Sequence, residues 1–491
     1  MRIVIDLQSC QSGSKRGGIG RYSMELAKAM AREPRTHEVW LALNALIPDA
    51  IAEIRGAFDG LIPNERIQVF SLPPHLHIRT AEPARVRAAE IIREDFLQCL
   101  QPDFVHIMSM FEGFDEDVVT SVGQYFPGSK TSVTLHDLIP LVQSARYLPD
   151  GKSHDYYERK IRNIKNAQLL LANSEFSRQE GIDLLDFLPG RVINVSAAAD
   201  ERFRHSVLEP QRAARLLARY GIQRKFLMYT ASFDYRKNQA NLISAFALLP
   251  FELRKDYQLV LMGGGAEDAL RKLRELVKKL GLHEGEVIFP GHVLDIDLVA
   301  LYNLCHLFVL PSLAEGFGLP ALEAMSCGTA TIGSNLTSLP EVIGWSEALF
   351  DPTNPSLIAK KIHQALTDSS FLQALRDHGF SQAKKFSWKQ TADRAFDAFE
   401  AQHARTAESN GYDSRQSNLK SRSAAHQPTA FIAPENVSGV VRKILDLDGA
   451  ENLSNEYILE ISESIAVNRS AVEALISDKL SEKEGALLTS R

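Results

Sequence analysis

Short strand-like runs recur along this chain, and stretches with a helical period separate them. Strand-like runs fall at 2–7, 38–43, 104–107, 130–135, 168–172 and 192–195. Helical periods fall between them at 22–31, 81–100, 153–166 and 174–185. A second series follows, with strands at 226–230, 257–262, 287–289, 307–310 and 330–332. Its helices fall at 238–249, 266–280, 297–304 and 319–326. Strands this short, joined through helices, cannot close hairpins. They specify a mostly parallel sheet covered by helices on both faces.

The pattern breaks around 200–224, where a basic helix intervenes before the strands restart. Two successive α/β units are therefore expected, 1–200 and 201–385, followed by a helical tract at 386–407. Residues 408–435 are rich in Ser, Gly, Asn and polar side chains and read as a linker. A small helical extension is expected over 436–491, with helices at 437–447 and 455–475. The chain stops at Arg491 without a clear cap, as an excerpt of a longer protein would.

With 491 residues, two to four domains are expected, and there is ample material for two cores. Apolar residues make up 45% and charged residues 24%, which suits a globular chain in water. No apolar run reaches the roughly 18 residues that a membrane span needs. The first residues enter a strand directly and do not resemble a signal peptide. Cys10, Cys99, Cys305 and Cys327 are scattered, which argues for a reducing compartment and against a disulfide framework or zinc cluster. A net charge of −6 gives no reason to expect a nucleic-acid partner.

Candidate chemistry centres on EGFGLPALE at 315–323, where Glu315 and Glu323 stand in an otherwise chargeless run. Glu315 follows the apolar strand at 307–310, and ligands of open α/β sheets bind beyond such strand ends. Gly316 and Gly318 let the backbone bend and approach a ligand. Glu323 falls in the helix that follows, whose first N–H groups can hold an anion. A surface charge or a helix cap is the plain alternative for either carboxylate. Three further stretches suit phosphate: KRGGIG at 15–20, opening the first helix with Gly18 and Gly20; Arg236 and Lys237 after the first strand of the second unit; and the turn at 263–265, with Gly264. Each can equally be an ordinary turn or a solvated charge. Together they point to a phosphorylated or nucleotide-bearing substrate in a cleft between two sheets.

At this point the ordered motifs resemble those of the family-4 retaining glycosyltransferases, over roughly 1–400. The run at 315–323 resembles the family's glutamate–seven residues–glutamate motif. GGIGR at 17–21 resembles its N-terminal glycine loop, TLHD at 134–137 its acceptor-side histidine segment, and SFDYRKN at 232–238 its phosphate-binding segment. NSEFS at 173–177, FPGHV at 289–293 and FSW at 386–388 resemble further family segments. The forms RKN and GFGLP resemble those of bacterial mannosyl- and rhamnosyltransferases of surface polysaccharide assembly. The resemblance implies the GT-B fold: two Rossmann-like domains facing across a cleft, with 386–407 returning the chain to the first.

Roles follow as what the resemblance implies. Glu323 would hold the donor ribose, and Glu315 would contact the donor sugar, approached also by Phe317, Gly318 and Leu319. Lys237 and Arg236 would stabilise the leaving diphosphate, while Gly18 and Gly20 cover it from the other domain. Ser232 and Gly264 join the donor site, His136 faces the reaction centre and Asp137 is an acceptor-side candidate. Ser232 stands where many members carry arginine, which leaves open which cation carries most of the charge. The implied reaction moves a sugar from a nucleoside diphosphate, with GDP-mannose the best guess, to a glycan or lipid-linked glycan hydroxyl. It proceeds with retention by front-face attack, without a cofactor or metal. The LDID stretch at 294–297 reads as a helix cap. A cytoplasmic location is implied, with peripheral attachment to the inner membrane face as an option. The extension at 436–491 could recruit a partner domain or protein. The alternatives are a non-catalytic GT-B glycan-binding or scaffolding module and a sugar-nucleotide epimerase.

Overall fold

The structure, a computed structural model, describes residues 1–126, 130–418 and 437–489. Its first sheet has seven strands: β1 (Arg2–Asp6), β2 (Glu38–Asn44), β3 (Ile67–Phe70), β4 (Phe104–Ile107), β5 (Thr131–Leu135), β6 (Leu169–Ala172) and β7 (Val192–Asn194). Their spatial order is β3-β2-β1-β4-β5-β6-β7, and every pairing is parallel. The second sheet contains β8 (Lys225–Thr230), β9 (Tyr257–Met262), β10 (Val287–Gly291), β11 (Leu307–Leu310), β12 (Thr331–Ser334) and β13 (Leu349–Phe350). Its order is β10-β9-β8-β11-β12-β13, again all parallel. These are the two Rossmann-like sheets expected from the repeated short strands.

In both sheets the order of strands reverses beside the first strand, between β1 and β4 and between β8 and β11. Loops leaving neighbouring strands at such a point turn to opposite sides, and a crevice opens between them. The glycine loop leaves β1, the Arg236–Lys237 turn leaves β8, and the Glu315 loop leaves β11. The topology alone thus gathers three of the sequence candidates at switch points.

Each sheet has its own core, and a third apolar cluster joins the two. In that cluster Phe317, Leu322 and Met325 of the second unit pack with Tyr22, Leu26, Trp388 and Phe396 of the first. The helix Leu319–Ser326 therefore serves both: Ala321 and Ala324 belong to the second core, Leu322 and Met325 to the shared cluster. The long helix Trp388–Asn418 runs back along the first unit. Phe399 packs on Phe104 with ring centroids 5.2 Å apart, and Arg35 and His37 reach Asp397 and Glu400. This helix continues to Asn418, through the first residues of the stretch read as a linker; 419–436 lie outside the described residues.

The C-terminal helices Val437–Leu445 and Asn455–Thr489 lie against the first unit rather than apart from it. Val440, Ile444, Tyr457, Ile461, Ile465 and Val472 enter the same core cluster as Val86, Ala89 and Phe96 of the helix Pro83–Cys99. That helix is consequently buried nearly all round, charged residues included. Arg469 pairs with its Asp95 at 2.8 Å. Asn468 accepts from the Ser71 N–H at 2.7 Å and donates to the Ser71 carbonyl at 3.1 Å, just beyond edge strand β3. An edge residue whose two backbone groups are matched in this way is closed to further strand pairing. Among the described residues no helix is long and apolar enough to cross a membrane.

Tyr457 tests whether the extension is integral. Its ring is 1% exposed, its hydroxyl donates to the Arg85 carbonyl at 3.1 Å, and the Arg85 guanidinium covers it. Tyr457→Ala should remove about 3–5 kcal/mol of packing. The expected result is a lower thermal midpoint for the whole first unit and faster proteolytic release of the C-terminal helices. An unchanged midpoint would show that the helices are an independent appendage.

Candidate active site

Glu315 sits five residues beyond the end of β11, and the chain there is held from several sides. Its N–H donates to Thr337 Oγ1 at 3.0 Å, and Ser338 Oγ donates to the carbonyls of Glu315 and Phe317 at 2.9 and 2.7 Å. The carboxylate is buried and accepts from Lys237 Nζ at 2.6 and 2.8 Å, Ser312 Oγ at 2.7 Å and Arg236 Nη1 at 3.2 Å. Burial alone would push the Glu315 carboxyl up. Lys237 and Arg236 overcome this and hold it below the usual glutamate value. For Lys237 burial wins over Glu315, and its ammonium is pulled below the usual lysine value. The two cations therefore do not lie free on the surface. They are drawn inward by one carboxylate, and the turn that carries them begins with Asp234 accepting from the Arg236 N–H at 2.9 Å.

From the first unit, His136 follows β5 and touches this loop directly. A Cβ on Gly316 would fall 2.2 Å from the His136 carbonyl oxygen and 3.1 Å from Asp137 Cβ. Only glycine permits this approach. Ser177 Oγ donates to the His136 carbonyl at 2.9 Å and reaches the Gly316 carbonyl at 3.3 Å, tying both sides together. The His136 ring donates from Nε2 to the Met108 carbonyl at 2.9 Å, because that oxygen can only accept. Its Nδ1 therefore carries the free lone pair in the neutral ring, and burial pulls its pKa down. Tyr22, from the glycine-loop helix Gly18–Arg32, meets His136 edge-on at 5.1 Å and Trp388 at 5.4 Å. Asp137 turns its Oδ1 to the Ile139 N–H, shaping the next turn.

Glu323 lies within the helix Leu319–Ser326, whose cap, Gly318, holds a left-handed φ of 111°. The carboxylate accepts from Tyr302 OH at 3.0 Å, and Arg21 Nη1 stands 3.6 Å away, across the cleft. Burial pushes Glu323 up to about 6, against the pull of Arg21 and Tyr302 and helped by Asp295 and Asp200. Arg21 also donates to Asp295 Oδ1 at 2.7 Å, and Arg202 reaches the other Asp295 oxygen at 3.0 Å. The acidic stretch at 294–297 thus does not cap its helix through side chains: Asp295 pairs across the cleft, and Asp297 pairs with Arg219 and Tyr220. Arg21 and His292 were given no role beyond the motifs GGIGR and FPGHV, and Asp295 was read as part of a helix cap; their one signal was position, beside the glycine loop and after β10.

Two adjoining cavities between the sheets share Arg21 and Glu323. The smaller, about 230 Å³, is lined by Gly18, Gly263, His292 and Leu319; the larger, about 550 Å³, reaches Lys15, Gly20 and Arg202. Ser232 and Gly264 line neither cavity, where Ala231 and Gly263 stand instead. Gly263 is also the residue of that turn with a positive φ, 132°, and its Cβ would meet the Ala231 carbonyl at 2.0 Å. Phe317 turns its ring into the shared apolar cluster, so only its backbone can face the cleft. Among the described residues no group of three His, Cys, Asp or Glu side chains is placed to hold a metal ion.

Gly316→Ala should force the His136 segment and the Glu315 loop apart, at a cost of about 1–3 kcal/mol. Activity is expected to fall far more than the thermal midpoint. A fully active alanine variant would show that the contact between the two units is dispensable.

Comparison with known proteins agrees with this geometry. A family model described as glycosyltransferase family 4 matches residues 16–201, and one described as glycosyl transferases group 1 matches 218–382. A serotype-specific mannosyltransferase WbdA of Escherichia coli is 38% identical over 401 residues, covering 81% of this chain and 48% of the relative. The chain thus spans about half the length of that curated relative. The O-antigen chain mannosyltransferase B of Escherichia coli is 31% identical over 389 residues, covering 78% of this chain and 95% of the relative. In fold, the chain is similar to Anabaena Alr3699/HepE solved with UDP and glucose, with a TM-score of 0.62 at 18% identity over 82% of this chain and 100% of that one. WaaG, a glycosyltransferase involved in lipopolysaccharide biosynthesis, gives 0.58 at 17% identity over 81% and 99%. Two facing Rossmann-like units, with Glu315 and Glu323 at their junction and both family models matched in chain order, place the chain among the GT-B glycosyltransferases of the group 1 and family 4 type.

Proposed function

We propose that this chain transfers mannose from GDP-mannose to a hydroxyl of a glycan or lipid-linked glycan, with retained anomeric configuration, in bacterial O-antigen or related surface polysaccharide synthesis. The observation that carries this is the 31% identity to an O-antigen mannosyltransferase over 95% of its length. The proposed unit boundaries fall near 200 and 385. The helices beyond 436 stand as a surface for a partner domain or protein, and the enzyme works at the inner membrane face as a peripheral protein.

The chemistry demands stabilisation of negative charge on the departing diphosphate. Lys237 and Arg236 are the cations beside Glu315, and a diphosphate would compete with that carboxylate for them. Donor binding then exchanges one anion for another in a site already arranged to hold one. The N–H groups at the starts of the helices Gly18–Arg32 and Leu319–Ser326 lack intrahelical partners and suit phosphate oxygens from the two sides. Gly18, Gly20 and Leu319 form the proposed donor shell with the backbone of Phe317 and Gly318, and Ala231 and Gly263 take the places expected of Ser232 and Gly264. His136 offers Nδ1 as an acceptor for a sugar hydroxyl, and Asp137 lies on the acceptor side.

Glu323 has a specific use for the ribose. Its folded pKa of about 6 lies above the usual 4.5, so the unliganded site favours the neutral acid. That contribution to stability is complete below pH 4.5 and is lost as pH rises through about 6. Two ribose hydroxyls donating to the carboxylate would favour the ionised form. GDP-mannose affinity should therefore rise as pH increases through about 6, and Glu323→Gln should flatten that rise. Glu323→Ala should weaken donor binding by about 10–100-fold, the worth of hydrogen bonds to a charged group. Calorimetry across this pH range checks both; an equally pH-dependent Gln variant would assign the titration to another group.

Lys237→Ala should depress kcat by about 100–1,000-fold, as loss of a charge-stabilising group does, with a smaller change in donor affinity. Single-turnover mannosyl transfer separates the two effects. Near-normal turnover would remove Lys237 from the leaving-group role. Failure of GDP-mannose to bind at all would instead favour the non-catalytic alternative.

A further inference from the structure

A second groove lies between the chain segments that carry the proposed site residues and shares no lining residue with the two cavities around Glu323. It has a volume of about 780 Å³ and is lined by Val142, Gln143, Ser144, Arg146, Tyr235 and Leu313, with Ala145. Both of its walls lead directly to proposed site residues. On one wall the chain runs from His136 and Asp137 through the short helices Ile139–Val142 and Ser144–Tyr147. On the other, Tyr235 precedes Arg236, and Leu313 lies two residues before Glu315 while its N–H donates to the Arg236 carbonyl at 2.7 Å.

The walls meet through two contacts. The Arg146 guanidinium lies 3.6 Å from the centroid of the Tyr235 ring, and Tyr147 OH donates to Asp234 Oδ1 at 2.7 Å. Asp234 is the residue that fixes the turn carrying Arg236. Despite the guanidinium, Tyr235 remains 56% exposed and Val142 62% exposed. The lining thus offers an aromatic ring, aliphatic patches, a planar amide, a hydroxyl and a guanidinium, and it contains no carboxylate.

We propose that this groove binds the acceptor as an uncharged oligosaccharide, with Tyr235 and Arg146 holding the sugar units that precede the reacting hydroxyl. The inference rests on the proposed transfer activity and specifies its acceptor. A pyranose presents C–H groups on its faces and hydroxyls at its edge. Such a ligand matches an aromatic and aliphatic floor rimmed by groups that donate and accept hydrogen bonds. The absence of acidic side chains leaves Arg146 and Gln143 free to serve hydroxyls rather than internal ion pairs. Because the floor is built from the residue preceding Arg236, a bound saccharide would also press on the turn that holds the leaving-group cations.

The test uses the full chain with methyl α-mannoside and an α-linked mannotriose as probes. The wild type is expected to bind the trisaccharide more tightly than the monosaccharide, by calorimetry in the presence of GDP, and to use it more efficiently as acceptor. Tyr235→Ala and Arg146→Ala should each weaken trisaccharide binding and raise its KM by about ten-fold, with little effect on the monosaccharide. Tyr235→Phe, which keeps the ring, should retain the preference, and thermal midpoints report whether each variant folds. Equal use of the two probes by the wild type, or an undiminished length preference in both alanine variants, overturns the inference. Wild-type turnover of GDP-mannose with no trisaccharide binding overturns the groove alone. Absence of GDP-mannose binding and turnover overturns the proposed activity, whereas trisaccharide binding lost in Tyr235→Ala would still establish the groove.

Discussion

A lysine and a glutamate are buried together where the two halves of the protein meet, and much of the site depends on that pair. Burying either charge alone would cost several kcal/mol, so Lys237 and Glu315 must find each other or stay in water. Serine, arginine and backbone groups complete the pairing, and the loops after β8 and β11 are thereby locked in register. The same lock sets how closely the second unit approaches the first, because Gly316 lies against the His136 backbone beside it. A surface salt bridge would give neither result, since water and salt would screen it.

The helix Leu319–Ser326 extends this arrangement from the Glu315 loop to the cavities that Glu323 lines. Its small face packs into one core and its larger face into the cluster shared with the first unit. Glu323, on that helix, is held at the junction, with Arg21 reaching it from the other side. The two units are therefore bridged by ion pairs at the Arg21 end and by contacts of Arg146 and Tyr147 at the open groove. Substrates entering at either end must replace some of those contacts with their own.

Much of this was legible in the sequence because strand–helix alternation and glycine-rich strand exits are local features. The eleven strands expected from short apolar runs all recur, with ends shifted by a residue or two. β3 and β13 were not legible: IQVF at 67–70 is an edge strand with two half-buried residues, and β13 has only two residues. The carboxylates, the cations and His136 were singled out by motif, yet their mutual contacts were not legible, since each pair is separated by scores of residues. The pairing of Arg21 with Asp295 was hidden for the same reason: one was read only as part of the glycine loop and the other as part of a helix cap until the two units are placed together. The C-terminal helices show a related limit. Periodicity reveals that a helix has an apolar face, but not which surface covers it, and here that surface is the helix Pro83–Cys99.

Glu315 and Glu323 are alike in sequence context, but their pKa values are shifted in opposite directions. Both are buried, but Glu315 is ionised by two cations in contact, whereas Glu323 has a phenol and a more distant guanidinium and is pushed up to about 6. A pair of carboxylates with separated pKa values often marks an acid and a base. Here the ionised member is saturated by Lys237, Arg236 and Ser312, leaving it poorly suited to take a proton from an acceptor. The other member lines the smaller cavity, with Gly18 and Leu319. The difference in pKa is better understood as a difference in what each carboxylate awaits. Glu315 already has its cations, which a diphosphate bound as proposed would have to draw away, while Glu323 lacks sufficient donors, which the proposed ribose would supply.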